Sequence, residues 1–162
     1  KLANVYGYSD DPTRWALLSR GVLEFLRNVK NAKDEGTKNF VPDIIHCNEW
    51  HTGLTPNYLR TVYKNDPVLN KCATLFTIHN LQIQGVVDFK FSSELDFDDG
   101  KSDVATFFSE NLPKQNFMKR GIIYSDAINT VSPTYSREVL TSEFGASLDK
   151  LLTEVKSKFF GL

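Results

Sequence analysis

At 162 residues the chain has the length of one domain, enough to bury roughly 70% of the surface its unfolded form exposes. With 41% hydrophobic and 24% charged residues it has the material for a packed core and is not a disordered sequence. A net charge of -1 offers no field for nucleic acid or an anionic membrane, and no apolar run reaches the roughly 20 residues that span a bilayer.

Cys47 and Cys72 lie in or beside apolar runs without the CxxC spacing of zinc or redox sites. They read as buried free thiols in a reducing compartment. Aromatic residues fall at core spacing without interleaved basic residues, which speaks against a nucleic-acid module.

Val5 and Tyr6 have strand-like character that breaks at Gly7. Asp11-Pro12 then supplies an N-cap acceptor and a proline at the first helical position. Trp15, Leu18, Val22, Phe25 or Leu26, and Val29 recur at steps of three and four, so the helix is expected to turn this apolar face to a sheet. Asn31 to Asn39 reads as a solvated loop. Asp43 to Cys47 is an apolar strand, Thr52 to Tyr63 a helix, and Ala73 to His79 a second strand. Strand, helix, strand makes a βαβ unit, and the continuous apolar character predicts a parallel sheet covered on both faces.

Asn80 to Lys101 is irregular, and its acidic run of Glu94, Asp96, Asp98 and Asp99 reads as a solvated surface loop. Helical character is expected from about Ser102 to a break at Pro113. Phe117, Gly121 and Tyr124 share a helical face that leads into a third strand, Asp126 to Val131. Ser132-Pro133 repeats the cap-plus-proline signal before a helix from Thr134 to Leu140, and another helix is expected from Ser147 to Val155. Lys158 to Leu162 resembles a strand just begun, and an apolar strand at a chain end is read as a truncation.

Ligands of open parallel sheets gather beyond the strand C-termini. Three exits deliver polar side chains there: Asn48, Glu49 and His51, then His79, Asn80 and Gln84, then Ser132. Such an edge suits a polyhydroxylated or phosphorylated ligand. His51, just past a strand end, is the foremost candidate, since a neutral imidazole can donate to or accept from a hydroxyl. His46, inside the apolar run, reads as a satisfied core histidine. His79-Asn80 is balanced between ligand contact and loop fixing. His46 to His51 fits neither HExxH nor HxxEH, so no metal site is expected. No Gly-rich phosphate loop and no GxSxG elbow is present.

Four stretches carry a resemblance: Tyr6-Gly7-Tyr8 with Asp10, Asp11 and Arg14; Pro42 to Leu54; Phe76 to Gly85; and Asn116 to Ile122 continuing through Ser125 to Glu138. In order and spacing they resemble the bacterial glycogen synthase and plant starch synthase family. The resemblance implies an α/β fold, a Rossmann-like parallel sheet flanked by helices, forming the N-terminal half of a GT-B glycosyltransferase. Residues 1–162 would be a partial N-terminal domain, with a second, nucleotide-binding domain as the missing partner.

It implies retaining transfer of glucose from ADP-glucose to the non-reducing 4-hydroxyl of an α-1,4-glucan, with no cofactor beyond that donor substrate. His51 would contact the transferred glucose, Asn80 and Gln84 would line the acceptor side, and Asp11 and Ser132 would lie near the cleft. The family's usual His-Asp-Trp-His stands here as Asn48-Glu49-Trp50-His51, a lengthened carboxylate arm of modest expected effect, and its Lys-x-Gly-Gly loop has no counterpart. The fragment alone is expected to be inactive. Two alternatives stand beside this reading: a non-catalytic glucan-binding module, and a related transferase with another sugar nucleotide. Cytoplasm is the expected compartment, plastid stroma the second.

Overall fold

The computed structural model describes residues 4–38, 40–86 and 98–162, with the backbone alone at Lys30. Four parallel strands form one sheet in the order β1-β2-β3-β4: β1 (Ile44–Asn48), β2 (Ala73–Ile78), β3 (Ala127–Thr130) and β4 (Phe159–Gly161). The register pairs Cys47 with Phe76, Phe76 with Ile128, and Ile128 with Phe159. All four strands fall where the apolar runs predict them.

The first helix, α1 (Asp11–Asn28), is followed by the short α2 (Glu35–Lys38), and α3 (Leu54–Arg60) connects β1 to β2. Connecting β2 to β3 is α4 (Phe117–Tyr124), while α5 (Pro133–Glu138) and α6 (Asp149–Glu154) lie between β3 and β4. Ser132 caps α5 as its sequence signal predicts, accepting from Thr134 N–H at 3.1 Å and Tyr135 N–H at 3.3 Å. Asn116 caps α4 through Lys119 N–H at 2.8 Å.

Three successive crossovers step in the same direction, so a common hand puts their helices on one face of the sheet. That face carries Ile45, Cys47, Phe76, Ile78 and Ile128, all buried, and meets the core side chains Phe117, Met118 and Ile122. Along β1 burial alternates, leaving Ile44, His46 and Asn48 exposed on the other side. The expectation of a sheet covered on both faces is therefore corrected: among the described residues β1 has one open face. His46 is corrected with it. The imidazole is not in the core but on that open face, with Nε2 at 2.7 Å from Thr77 Oγ1, which donates to Asn129 Oδ1 at 2.6 Å.

The start of α1 also differs. Asp11 is its first residue, not a cap, and Asp10 at the cap position makes no side-chain bond to the helix. The buried stripe is Pro12, Ala16, Ser19, Leu23 and Leu26, and α1 packs against α3 and the turn Trp50–Thr52, not chiefly on the sheet. Leu18, Val22 and Phe25 stay exposed. Small residues explain the choice of face, since Ala16 and Ser19 admit a neighbouring helix closely where larger side chains would hold it off.

Glu94 and Asp96 lie outside the described residues. Asp98 is not solvated: its carboxylate is buried against Arg120, which donates through Nε at 3.0 Å and Nη2 at 2.7 Å. Arg120 is 0% exposed and also donates to Ser102 O at 2.8 Å. Asp99 holds the N–H groups of Lys101 and Ser102, which lowers its carboxyl to about 2. The helix expected from Ser102 does not form; the segment is irregular up to a 3-10 turn, Leu112–Lys114, that contains Pro113. Tertiary partners replace the helical ladder: Gln115 Oε1 accepts from Ala105 N–H at 3.2 Å, and Phe107 O accepts from Thr13 Oγ1 at 2.8 Å. Both cysteines are buried and unpaired, and burial pushes the Cys47 thiol up to about 12.

Candidate functional site

The chain leaves β1 in a polar turn that bends at once into the 3-10 turn Trp50–Thr52 and then α3. Thr52 secures the bend, its Oγ1 donating to Asn48 O at 2.8 Å and its N–H to Glu49 O at 3.0 Å. Gly53 permits α4 to lie close, since a Cβ there would sit 2.0 Å from Phe117 O. This packing fixes where the turn projects His51.

His51 stands among three aromatic rings. Trp50 stacks on it at 4.0 Å between centroids, Trp15 meets it edge-on at 4.7 Å, and Tyr6 is tilted at 5.3 Å. Among the described residues neither ring nitrogen has a hydrogen-bond partner. Burial lowers the imidazole below its ordinary 6.5, opposed by the carboxylates of Glu49 and Asp11, so the ring is neutral near pH 7.

A cavity of about 370 Å³ opens beside this cluster, with Tyr6, Tyr8, Asp11, Trp50, Gln84 and Gly85 in its walls. Asp11 shapes the upper wall. Its Oδ2 accepts from Gly7 N–H at 2.5 Å and Tyr8 N–H at 3.0 Å, and its Oδ1 pairs with Arg14 at 2.6 Å. Arg14 also donates to Val5 O at 3.0 Å, so one ion pair draws the segment from Val5 to Tyr8 over His51. Opposite, Gly85 passes against Trp50 at a φ of 80°, where a Cβ would lie 2.5 Å from the indole. Gln84 ties this loop at both ends of its amide: Oε1 accepts from Asn116 Nδ2 at 2.5 Å, and Nε2 donates to Ala146 O at 2.7 Å.

Of the five side chains the sequence singles out, three gather here: His51 in the aromatic cluster, with Asp11 and Gln84 in the cavity wall. Asn80 follows β2, its Oδ1 accepting from Gln82 N–H at 3.0 Å. Ser132 lies beyond β3, with its hydroxyl engaged in capping α5. Trp15, Trp50 and Tyr6 belong to the site although the sequence reading leaves Trp15 in a helix face. The signal that finds it is position: Trp15 directly follows Arg14 of the Asp11–Arg14 clasp, about one helical turn past Asp11. Glu49 is the other contributor, with Oε1 accepting from His79 N–H at 2.5 Å and Asn80 N–H at 2.8 Å. Among the described residues no group of three or more His, Cys, Asp or Glu is placed to hold a metal, and no helix is long and apolar enough to cross a membrane.

The opposite sheet edge has a different character. There Asp126 Oδ2 accepts from Arg60 Nη2 at 2.5 Å and from Thr74 N–H at 2.7 Å, clasping the starts of β2 and β3.

Comparison with known proteins matches the starch synthase catalytic domain over residues 1–154. A glycogen synthase of Clostridium novyi is 38% identical over 171 aligned positions, covering 100% of this chain and 32% of that protein. A glycogen synthase of Thermotoga maritima is 45% identical over 121 positions, covering 75% of this chain and 24% of its own length. Among solved structures, the catalytic domain of starch synthase IV from Arabidopsis thaliana, bound to ADP and acarbose, aligns with a TM-score of 0.72 at 28% identity, covering 98% of this chain and 31% of that one. The chain thus spans about a third of the length of the relatives it matches, and its fold is the Rossmann-like parallel sheet of a GT-B glycosyltransferase. By the match over nearly its whole length, the chain belongs to the starch synthase catalytic domain family.

Proposed function

We propose that this chain forms one wall of the cleft of a glycogen or starch synthase, which transfers glucose from ADP-glucose to the non-reducing 4-hydroxyl of an α-1,4-glucan. The observation that carries the reading is His51, its ring nitrogens without a partner among the described residues, set among Tyr6, Trp15 and Trp50 beside a cavity of about 370 Å³ at the C-terminal sheet edge. Flat aromatic surface with a few polar groups suits a sugar ring, which presents C–H faces and a rim of hydroxyls. The ADP and acarbose bound by the Arabidopsis relative support the same ligand classes here.

In the transfer, the bond from glucose C1 to the diphosphate breaks as C1 bonds to the acceptor oxygen with retained configuration. The acceptor proton leaves with the ADP. Catalysis of this kind rests on positioning and on stabilising the leaving diphosphate. In this reading His51 orients the glucosyl ring, Asn80 and Gln84 line the acceptor side, and Asp11 and Ser132 hold the loops around them. A second domain of the same enzyme supplies most of the nucleotide contacts, both domains hold the diphosphate, and no cofactor takes part. The greater length of the relatives supports that division. A reducing compartment belongs to the reading, cytoplasm first and plastid stroma second, and the two unpaired thiols favour it.

Titration of the 162-residue chain with maltoheptaose, followed by Trp15 and Trp50 fluorescence, tests this. Saturable quenching with a Kd on the order of 1 mM is expected, weakened about tenfold in His51→Ala, together with no extension of maltoheptaose by ADP-glucose. Absence of binding would refute the glucan reading. Extension by the chain alone would refute the two-domain division of labour, and binding that ignores His51 would leave a glucan-binding module.

A further inference from the structure

Glu49 has a φ of 62° and a ψ of 170°, a backbone region that glycine occupies readily and other residues do not. Such strain persists where the surroundings over-determine it. Here they do so on three sides. Its N–H donates to Thr77 O at 3.0 Å, its carbonyl accepts from Thr52 N–H at 3.0 Å, and its Oε1 accepts from His79 N–H at 2.5 Å and Asn80 N–H at 2.8 Å. One residue joins the end of β1, the end of β2 and the turn bearing Trp50 and His51. A carboxylate on two successive amides makes charge-assisted bonds, shorter and stronger than neutral ones.

We propose that Glu49 is a positioning residue of the site: its carboxylate latches the exit of β2 to the exit of β1, and its strained backbone aims the following turn, so that His51 and Asn80 face one ligand at a fixed separation. The proposal rests on reading His51 and Asn80 as ligand contacts. The arm length sets the separation. Aspartate, one methylene shorter, must either pull the two exits together or leave the amides of His79 and Asn80 unmet, so position 49 tunes the width of the cleft floor. The same carboxylate offsets part of the effect of burial on His51.

The test uses the 162-residue chain with Glu49→Ala, Glu49→Asp and Glu49→Gln, each checked for folding by circular dichroism. Two readouts need no ligand: amide hydrogen exchange at His79 and Asn80, and the ring-current shift that stacked Trp50 imposes on the His51 Cε1 proton. In Glu49→Ala, exchange at His79 and Asn80 is expected to rise about tenfold to a hundredfold, as for loss of a charge-assisted bond, while Leu75 and Phe76 inside β2 keep their protection. The His51 proton moves towards its unstacked position. Glu49→Gln, which keeps an acceptor of the same reach, restores more of both signals than Glu49→Asp.

Maltoheptaose affinity is measured on the same samples and is expected to fall in the same order. Unchanged exchange and an unchanged His51 shift in a folded Glu49→Ala chain would overturn the proposal. So would a uniform rise in exchange across β2, which marks a merely structural residue, or changed geometry with unchanged affinity. Should Glu49→Ala fail to fold, Glu49→Gly relieves the backbone strain while removing the latch and gives the same two readouts. If the unsubstituted chain binds no maltoheptaose, the glucan reading fails by itself, and exchange and ring-current shift still decide the latch.

Discussion

His51 is held by contacts that favour its neutral form. The aromatic rings half-bury the imidazole, and the carboxylates of Glu49 and Asp11 offset only part of that effect. Because the folded value lies below the ordinary 6.5, the unfolded chain binds the proton more readily over the interval between the two. The stability that His51 contributes is therefore complete above 6.5 and is lost as pH falls through the folded value. Urea unfolding of the chain and of His51→Gln across this interval should show a difference between them that shrinks on acidification. A difference independent of pH would exclude a depressed histidine at this site. At this scale the sequence tells which residues are polar and near a strand exit, and that ground singles out His51 and Gln84, whereas Asp11, at the start of α1, stands out only through the family resemblance. How much of their hydrogen-bonding capacity is already used was not legible. Gln84 uses both ends of its amide within the fold, on Asn116 and Ala146, because such pairings join residues dozens of positions apart.

Helices and strands were legible wherever local chemistry decides them. The cap at Ser132 and the four apolar strands depend on neighbours in sequence, and they stand where expected. Two elements were not legible because tertiary partners decide them. One is the segment after Ser102, whose backbone groups bond to Arg120, Gln115 and Thr13 in place of each other. The other is the face of α1, where two apolar stripes compete and the one with small residues wins. Close helix contact makes a prediction here. Gly53 has an ordinary helical φ of -62°, so its freedom is not what matters; the carbonyl of Phe117 leaves no space for a Cβ. Gly53→Ala must push α3 from α4, and a loss of about 1–3 kcal/mol or more is expected. Gly21, within α1, has nothing within 4 Å of its would-be Cβ. Gly21→Ala should instead stabilise by about 0.5–1 kcal/mol through helix propensity. Equal urea midpoints for the two variants would show that the α3–α4 approach is looser than described.

The order β1-β2-β3-β4 has a consequence for the whole molecule. Doubly wound sheets cover both faces by reversing strand order at a switch point, and ligands bind in the crevice there. The described strands contain no reversal, so the connecting helices gather on one face and β1 remains an edge with its other face bare. The candidate site hangs from that same β1, through the turn that follows it. Ile44 and Ile45 measure this asymmetry directly, being adjacent in sequence but 62% and 8% exposed. Ile45→Ala removes packing against the helices and should cost about 2–5 kcal/mol. Ile44→Ala removes an exposed side chain and should stay within about 0.5 kcal/mol, as other surface substitutions do. Urea unfolding at micromolar concentration, with sedimentation velocity on the same samples, separates the outcomes. A large cost at both positions with a monomeric chain would mean that the bare face is covered from within. A large cost at Ile44 that falls on dilution, with dimers in the sedimentation profile, would mean that a second copy covers it. A cost at Ile45 alone would establish that the sheet of this chain is closed on one side only.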